Sequence, residues 1–338
     1  MANKYVEKLD RALDYYLKEC ACLNLSELTV NNYRTSLYRF RNFWAAQGDI
    51  QSDPTAADIR AWRDSLNASG LAKTSIRQHL TRLKAFFEFC VEDEPAIFEH
   101  NPVTKKLFPK LTDEDRPEYD HVLTPDDLMK LWENKRPYNF PKKMWARNYA
   151  MVMLLLDGKI RNAELLNLRL SDIDFEYNEV RILGKGRKLR YVTLSDIAIS
   201  AIKLYLKFGT RPDYCTDDDY LFGNTSSRGE FKANVRAGNE PWHQGTRQWL
   251  SDIVERHVEM ITGKHGFRSH AMRHSGSVLD LNSGVRMERL QSELGHSSIT
   301  TTEIYAGRLP SVRRSVGFQE AAKARDEWAK KNMEMLAG

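Results

Sequence analysis

Cysteine is scarce. Four residues in 338, Cys20, Cys22, Cys90 and Cys215, are too few and too badly spaced for a disulfide framework. Cys20 and Cys22 lie too close for an easy bridge, and no second ligand pair stands near them for zinc. Reduced, packed thiols and a cytoplasmic location are expected. Long apolar runs are also missing. The longest, "YAMVMLLLDG", stops well short of a membrane span. The first residues, "MANKYVEKLDRALDYYLKE", carry charge throughout and have no apolar core of a leader peptide. These absences predict a soluble protein inside the cell with no membrane partner. No internal repeat and no low-complexity tract interrupts the chain. Strong charge bias is absent too: 51 Lys and Arg against 46 Asp and Glu leave +5, with a sequence pI near 8.8. That balance permits a polyanionic partner without requiring one.

What is present is an ordinary globular composition, 41% hydrophobic and 29% charged, at a length that suits two domains. Residues 3–92 read as helices. Leu9, Leu13, Tyr16 and Leu17 recur at helical spacing, as do Val30, Tyr33, Leu37, Phe40 and Trp44, with Ser26 or Thr29 as a cap and Gly48 as a stop. Two more helices follow, one between Pro54 and Gly70 and one carrying Ile76, Leu80, Leu83, Phe86 and Phe87 inward. No strand pattern appears, so residues 1–95 are expected to form a helical bundle. Residues 96–121 hold prolines and scattered charges without a period and read as a linker. Thr124 then caps a helix with Pro125 at its first position. A buried helix follows in "ARNYAMVMLLLDGKI". The stretch "NEVRILGKGRKLRYVTL" alternates, turns at Gly184 and Gly186, and alternates again, which predicts a β-hairpin. Helices resume at Ser195, and residues 209–245 read as a long loop. The expected domains are a helical one over 1–95, a linker over 96–121 and a mixed α+β one over 122–317. A C-terminal amphipathic helix over 318–338 completes the chain. The fold class is mainly α with a small β-sheet.

The chemistry concentrates near the C-terminus. Residues 269–307, "SHAMRHSGSVLDLNSGVRMERLQSELGHSSITTTEIYAG", contain His270, Arg273, His296 and Tyr305. His270 and Arg273 lie three apart in a helical stretch, so both reach one face and one ligand. A metal is a poor partner there, because arginine is no ligand and its guanidinium repels a cation. Arg161 lies upstream between a buried helix and "AELLNL", with Glu164 three residues on. Lys185 sits in the Gly184–Lys185–Gly186 turn. Each residue alone has an ordinary alternative as a solvated charge or a packed ring. Together, two guanidiniums, two imidazoles, an ammonium and a phenol suit attack on a phosphodiester by tyrosine, with charge held by arginine forks.

The succession is more specific than its parts. Arg, then Lys in a G-K-G hairpin, then "HAMRHS", then "LGHSSITTTEIYAG" resembles the tyrosine recombinase family, which includes phage integrases, the Xer proteins and Cre. The resemblance spans about residues 123–310, and the helical first half is similar to the family's core-binding domain. It implies a helical DNA-binding bundle and an α+β catalytic domain. It also implies a site-specific recombinase that needs no metal and no cofactor. By this resemblance Arg161 and Arg273 grip the scissile phosphate, and Lys185 protonates the leaving 5′-oxygen. His270 assists proton transfer, His296 donates to a phosphate oxygen, and Glu164 supports the site. Tyr305 forms a 3′-phosphotyrosine. Strand exchange then passes through a Holliday junction.

Implied partners are double-stranded DNA with inverted half-sites and a homotetramer on DNA, a dimer per site. There is no room for a separate arm-binding domain, which favours an Xer-like type. On the helical bundle, Arg34, Arg41, Lys73, Arg77 and Lys84 stand as candidate DNA contacts, each with a solvated face as its plain alternative. The final helix either packs on its own domain or docks in a neighbouring subunit. On the second reading, deleting residues 318–338 impairs assembly and leaves the fold intact. Two rivals are a type IB topoisomerase, with the same chemistry but no exchange of partners, and a non-catalytic DNA-binding protein of the same fold. The intact residue set argues against the latter.

Overall fold

The computed structural model describes residues 3–93, 95–112, 115, 122–184, 188–224, 233–234, 242–295 and 316–337. The chain divides into two compact units, residues 1–118 and 119–338.

Four helices build the first unit: α1 (Lys4–Cys22), α2 (Glu27–Ala45), α3 (Ala56–Ala68) and α4 (Lys73–Glu92). Ser26 caps α2 by accepting the Thr29 N–H, and Thr55 and Asp58 form a reciprocal capping box on α3. The apolar stripes turn inward as the periodicity predicts. Leu37, Phe40, Leu80, Leu83, Phe86 and Phe87 are fully buried, each side chain contributing about 1.5–3 kcal/mol. Rings meet edge to face, Phe40 with Trp62 at 5.2 Å and Phe86 with Phe87 at 4.9 Å between centroids. The expected linker over 96–121 departs from this reading. Phe98, Val103 and Leu107 are buried in the same core, and Phe98 meets Phe87 edge to face at 5.3 Å. Isolated apolar residues between prolines show no period, yet tertiary packing draws them in.

The second unit surrounds α6 (Lys142–Leu156), whose second half, Tyr149 through Leu156, is apolar on every side and buried. Around it lie α5 (Pro125–Glu133), α7 (Asn162–Asn167), α8 (Asp196–Phe208), α9 (Arg247–Thr262), α10 (Ser269–Asn282) and α11 (Met287–Leu294). Strands β1 (Ile173–Asp174), β2 (Glu179–Leu183) and β3 (Leu189–Thr193) form an antiparallel sheet in the order β1-β2-β3. The expected hairpin is β2–β3, closed by the Gly184 N–H donating to the Lys188 carbonyl at 2.8 Å. Gly276 lets α10 cross the end of α6. A Cβ there would lie 1.7 Å from the Leu156 carbonyl oxygen. Neighbouring Ser275 anchors the approach to α5, its hydroxyl accepting the Leu123 N–H at 2.9 Å.

One expectation changes here. The loop over 209–245 contains a second small sheet, β4 (Gly223–Asn224), β5 (Ala233–Asn234) and β6 (Trp242–Gln244), with β6 central. Leu221, Phe222 and Trp242 are buried, and Trp242 Nε1 donates to the Tyr220 carbonyl. Strands of two or three residues show no alternation, so only their pairing makes them visible. The C-terminal helix, α12 (Val316–Ala337), packs on its own unit against α5 and α8. Phe318, Ala321 and Ala329 join the core, and the buried Asn332 amide donates to Tyr149 Oη at 3.2 Å. This packing is the first of the two alternatives, and on it removing residues 318–338 is expected to open this core.

Candidate active site

Arg161 is the N-cap of α7, and Glu164 at the third helical position accepts its backbone N–H at 2.7 Å. This local bond sets the two residues against each other within one helical turn. The Arg161 guanidinium then bridges to Glu164 Oε1 at 3.0 Å and donates to the Gly295 carbonyl at 3.0 Å. Arg273 is buried on α10 and donates to the Lys159 carbonyl and, at 2.7 Å, to the Leu294 carbonyl. The two arginines thus hang from consecutive carbonyls at the end of α11. Gly295 ends that helix with φ +59, a left-handed conformation that suits glycine. A Cβ at Gly295 would only touch Arg190 at 3.4 Å and Arg161 at 3.5 Å, so the positive φ is what favours glycine there.

His270 occupies the same helix one turn before Arg273, at the rim, where it opens to solvent. Its ring meets His274 edge to face at 4.3 Å. Partial burial, then the charges of Arg273 and Arg161, hold its pKa below the ordinary imidazole value. The ring is therefore neutral near pH 7 and able to accept a proton.

Glu164 is buried, and burial alone would raise its pKa. The Arg190 fork, the Arg161 N–H and both positive charges outweigh that and hold it down to about 2. Arg190, which the sequence reading did not single out, donates to the two Glu164 oxygens at 2.8 Å each. Its Nε also donates to the Glu293 carbonyl at 3.1 Å. The signal was available. Arg190 pairs across the hairpin with Ile182 and shares the inward face with Val192, where an arginine needs a buried acid.

Of the expected site residues, Arg161, Glu164, His270 and Arg273 converge. Lys185, His296 and Tyr305 lie outside the described residues. The described chain flanking Lys185 does reach the cluster: a Cβ at Gly184 would lie 3.8 Å from Glu164 Oε1. The described segment before His296 ends at Gly295, which Arg161 holds. Among the described residues, no group of three or more His, Cys, Asp or Glu side chains could hold a metal ion. No described helix is long and apolar enough to cross a membrane.

The candidate DNA contacts on the first unit have varied surroundings. Arg34 is exposed and bonds Asn31 on its own helix. Arg41 forks onto Asp10 at 2.6 and 2.7 Å, tying α2 to α1. Lys73 pairs with Asp115 at 3.0 Å, and Arg77 donates to the Pro109 carbonyl while lying over Phe108. Lys84 pairs with Glu88 on its own helix. A groove beside α2 and α4 is lined by Asn32, Thr74, Arg77, Gln78, Thr81 and Arg82, side chains rich in donors.

A mostly helical pair of units, with two arginines and a histidine gathered over a buried carboxylate, defines an enzyme class that works on phosphodiesters. Residues 121–310 match the model of the Phage integrase family, and residues 5–94 match that of the Phage integrase N-terminal SAM-like domain. A tyrosine recombinase XerC from Oceanobacillus iheyensis is 30% identical over 288 residues, covering 83% of this chain and 86% of that protein. Another XerC, from Roseiflexus castenholzii, is 30% identical over 316 residues, covering 90% and 93%. The XerH site-specific recombinase bound to palindromic difH substrate shares the fold, with TM-score 0.68 at 22% identity over 92% of this chain and 83% of that one. This chain belongs to the phage integrase family of tyrosine recombinases, site-specific enzymes that cleave and rejoin DNA through a covalent tyrosine intermediate.

Proposed function

We propose that Tyr305 is the nucleophile and that Arg161, Arg273, Lys185, His270 and His296 complete the catalytic set, with Glu164 and Arg190 holding it. The tyrosine oxygen attacks phosphorus, the bond to the 5′-oxygen breaks, and a 3′-phosphotyrosine forms. The phenol proton passes toward His270, and Lys185 donates a proton to the leaving 5′-oxygen. Arg161 and Arg273 neutralise the charge that grows on the non-bridging oxygens, worth about 3 kcal/mol per well-placed donor. His296 donates to one of those oxygens. A 5′-hydroxyl from a partner strand reverses the step, so bond energy is conserved and strands are exchanged through a Holliday junction.

The observation that carries this reading is the convergence of Arg161 and Arg273 on the adjacent Gly295 and Leu294 carbonyls, with His270 one helical turn away. Such forks match the geometry of a phosphate. The substrate we propose is double-stranded DNA with inverted half-sites, bound by a homotetramer with a dimer per site. Relatives support it: the solved XerH is bound to a palindromic substrate, and the Tn1549 transposon integrase is in complex with circular intermediate DNA. The groove of Asn32, Gln78 and Arg82 suits contact with base edges, and exposed Arg34 suits a backbone phosphate.

The test is a nicked duplex that traps the covalent adduct. The wild-type protein should form it, and Tyr305→Phe should form none while still binding the duplex. An adduct with the phenylalanine variant would disprove the nucleophile assignment.

A further inference from the structure

Behind the two arginines lies a buried charge to which the mechanism assigns no task. Lys159 is only 4% exposed and adopts φ +51, a left-handed conformation unusual for a lysine. Its ammonium stands 2.7 Å from Asp280 on α10 and 3.4 Å from Glu293 at the end of α11. It also donates to the Asp157 carbonyl at 2.6 Å. Each acid has further company. Asp157 faces Arg325 of α12 at 3.4 Å and accepts the Ser195 N–H. Glu293 pairs with Arg289 at 3.0 Å. Three carboxylates therefore meet three cations, Lys159, Arg325 and Arg289.

The backbone of Lys159 does the second half of the work. Its carbonyl accepts from Arg273 Nη1. Glu293, the far partner of the ammonium, immediately precedes the Leu294 and Gly295 carbonyls that receive Arg273 and Arg161. Its own carbonyl receives Arg190. One side chain thus ties together the turn before α7, the second half of α10 and the end of α11. Those are the three segments on which the arginine pair is built. Gly276 lies beside the same lysine, and a Cβ there would come within 3.3 Å of its Cγ. A left-handed non-glycine residue persists where its surroundings over-determine it, and such sites cluster where geometry matters to function.

We infer that Lys159 is a positioning residue for DNA cleavage: its buried ion pairs hold three chain segments in the one arrangement that aims Arg273 and Arg161 at the same phosphate. This rests on the reading of those arginines as the phosphate clamp. Burial opposes the charge on Lys159, but Asp280, Asp157 and Glu293 outweigh it and raise its pKa, so the ammonium persists across the working pH range. The groups that face it are Asp157 of its own turn, Asp280 and Arg273 of α10, Glu293 and Arg289 of α11, and Arg325 of α12.

The experiment uses the full-length protein on a nicked duplex, with adduct formation rate, duplex affinity and the pH profile of the rate as readouts. Lys159→Met should bind DNA within about twofold of wild type and cleave about 100-fold more slowly, the scale of a small misplacement of reacting groups. Its residual rate should rise as pH falls from 8 to 6, because Asp280, whose pKa burial already raises, takes up a proton in place of the lost ammonium. Adding Asp280→Asn to Lys159→Met rebalances the cluster at two acids and two arginines, and should recover part of the rate. A wild-type rate for Lys159→Met would overturn the inference. So would a slow rate with a pH profile parallel to wild type and no recovery in the double variant. If Lys159→Met does not fold, Glu293→Gln takes its place, and an unchanged rate there overturns the inference equally. Arg273→Ala run alongside separates the two claims. Normal cleavage by that variant would sink the clamp assignment itself, whereas loss there with normal Lys159 variants would sink only the positioning role.

Discussion

Replacing Glu164 with glutamine isolates one charge at the centre of the site. The carboxyl is buried, and Arg190 and Arg161 depress its pKa from an ordinary 4.5 to about 2. At 1.36 kcal/mol per unit, that shift is a stabilisation of about 3 kcal/mol at neutral pH. Because the folded-state value is the lower one, the contribution is complete above pH 4.5 and fades as pH falls toward 2. Glutamine cannot titrate, so its stability carries no such dependence, and the other carboxylates cancel when the two proteins are compared. Urea unfolding followed by tryptophan fluorescence supplies the measurement. The gap between wild type and Glu164→Gln should narrow by about 1 kcal/mol between pH 7 and pH 4, following the integrated linkage relation. A gap that stays constant over that range would show that Glu164 is not held ionised by the arginines, and the electrostatic account of the site would fail.

Arg273→Lys keeps the charge but loses the planar fork that spans two carbonyls. Its adduct formation should fall by about 100-fold or more with duplex affinity nearly unchanged, and near-normal cleavage would refute the clamp assignment. Gly276→Ala places a methyl against the Leu156 carbonyl, and thermal unfolding should report a loss of about 1–3 kcal/mol as α10 is pushed from α6. Truncation at residue 317 removes Phe318, Ala321 and Ala329 from the core, so the melting temperature of the second unit should drop by several degrees even without DNA.

The sequence alone determined the helices of the first unit, because their stripes recur at 3.6 residues and their caps are local. It also determined the hairpin around Gly184 and the order of the proposed catalytic residues, because turn chemistry and residue succession are written along the chain. The bond that sets the Arg161 N–H on Glu164 is local too, spanning only three residues. Only the tertiary structure decided which remote groups serve that pair. Arg190 is one polar residue in an alternating strand until the hairpin folds over Glu164. Lys159 reads as a loop lysine until α10 and α11 bring Asp280 and Glu293 to it. The second sheet and the packing of Phe98 were likewise invisible, since two-residue strands and single apolar residues carry no period. Local patterns record contacts between near neighbours. Charges satisfied by partners more than a hundred residues away leave no mark until the chain closes on itself.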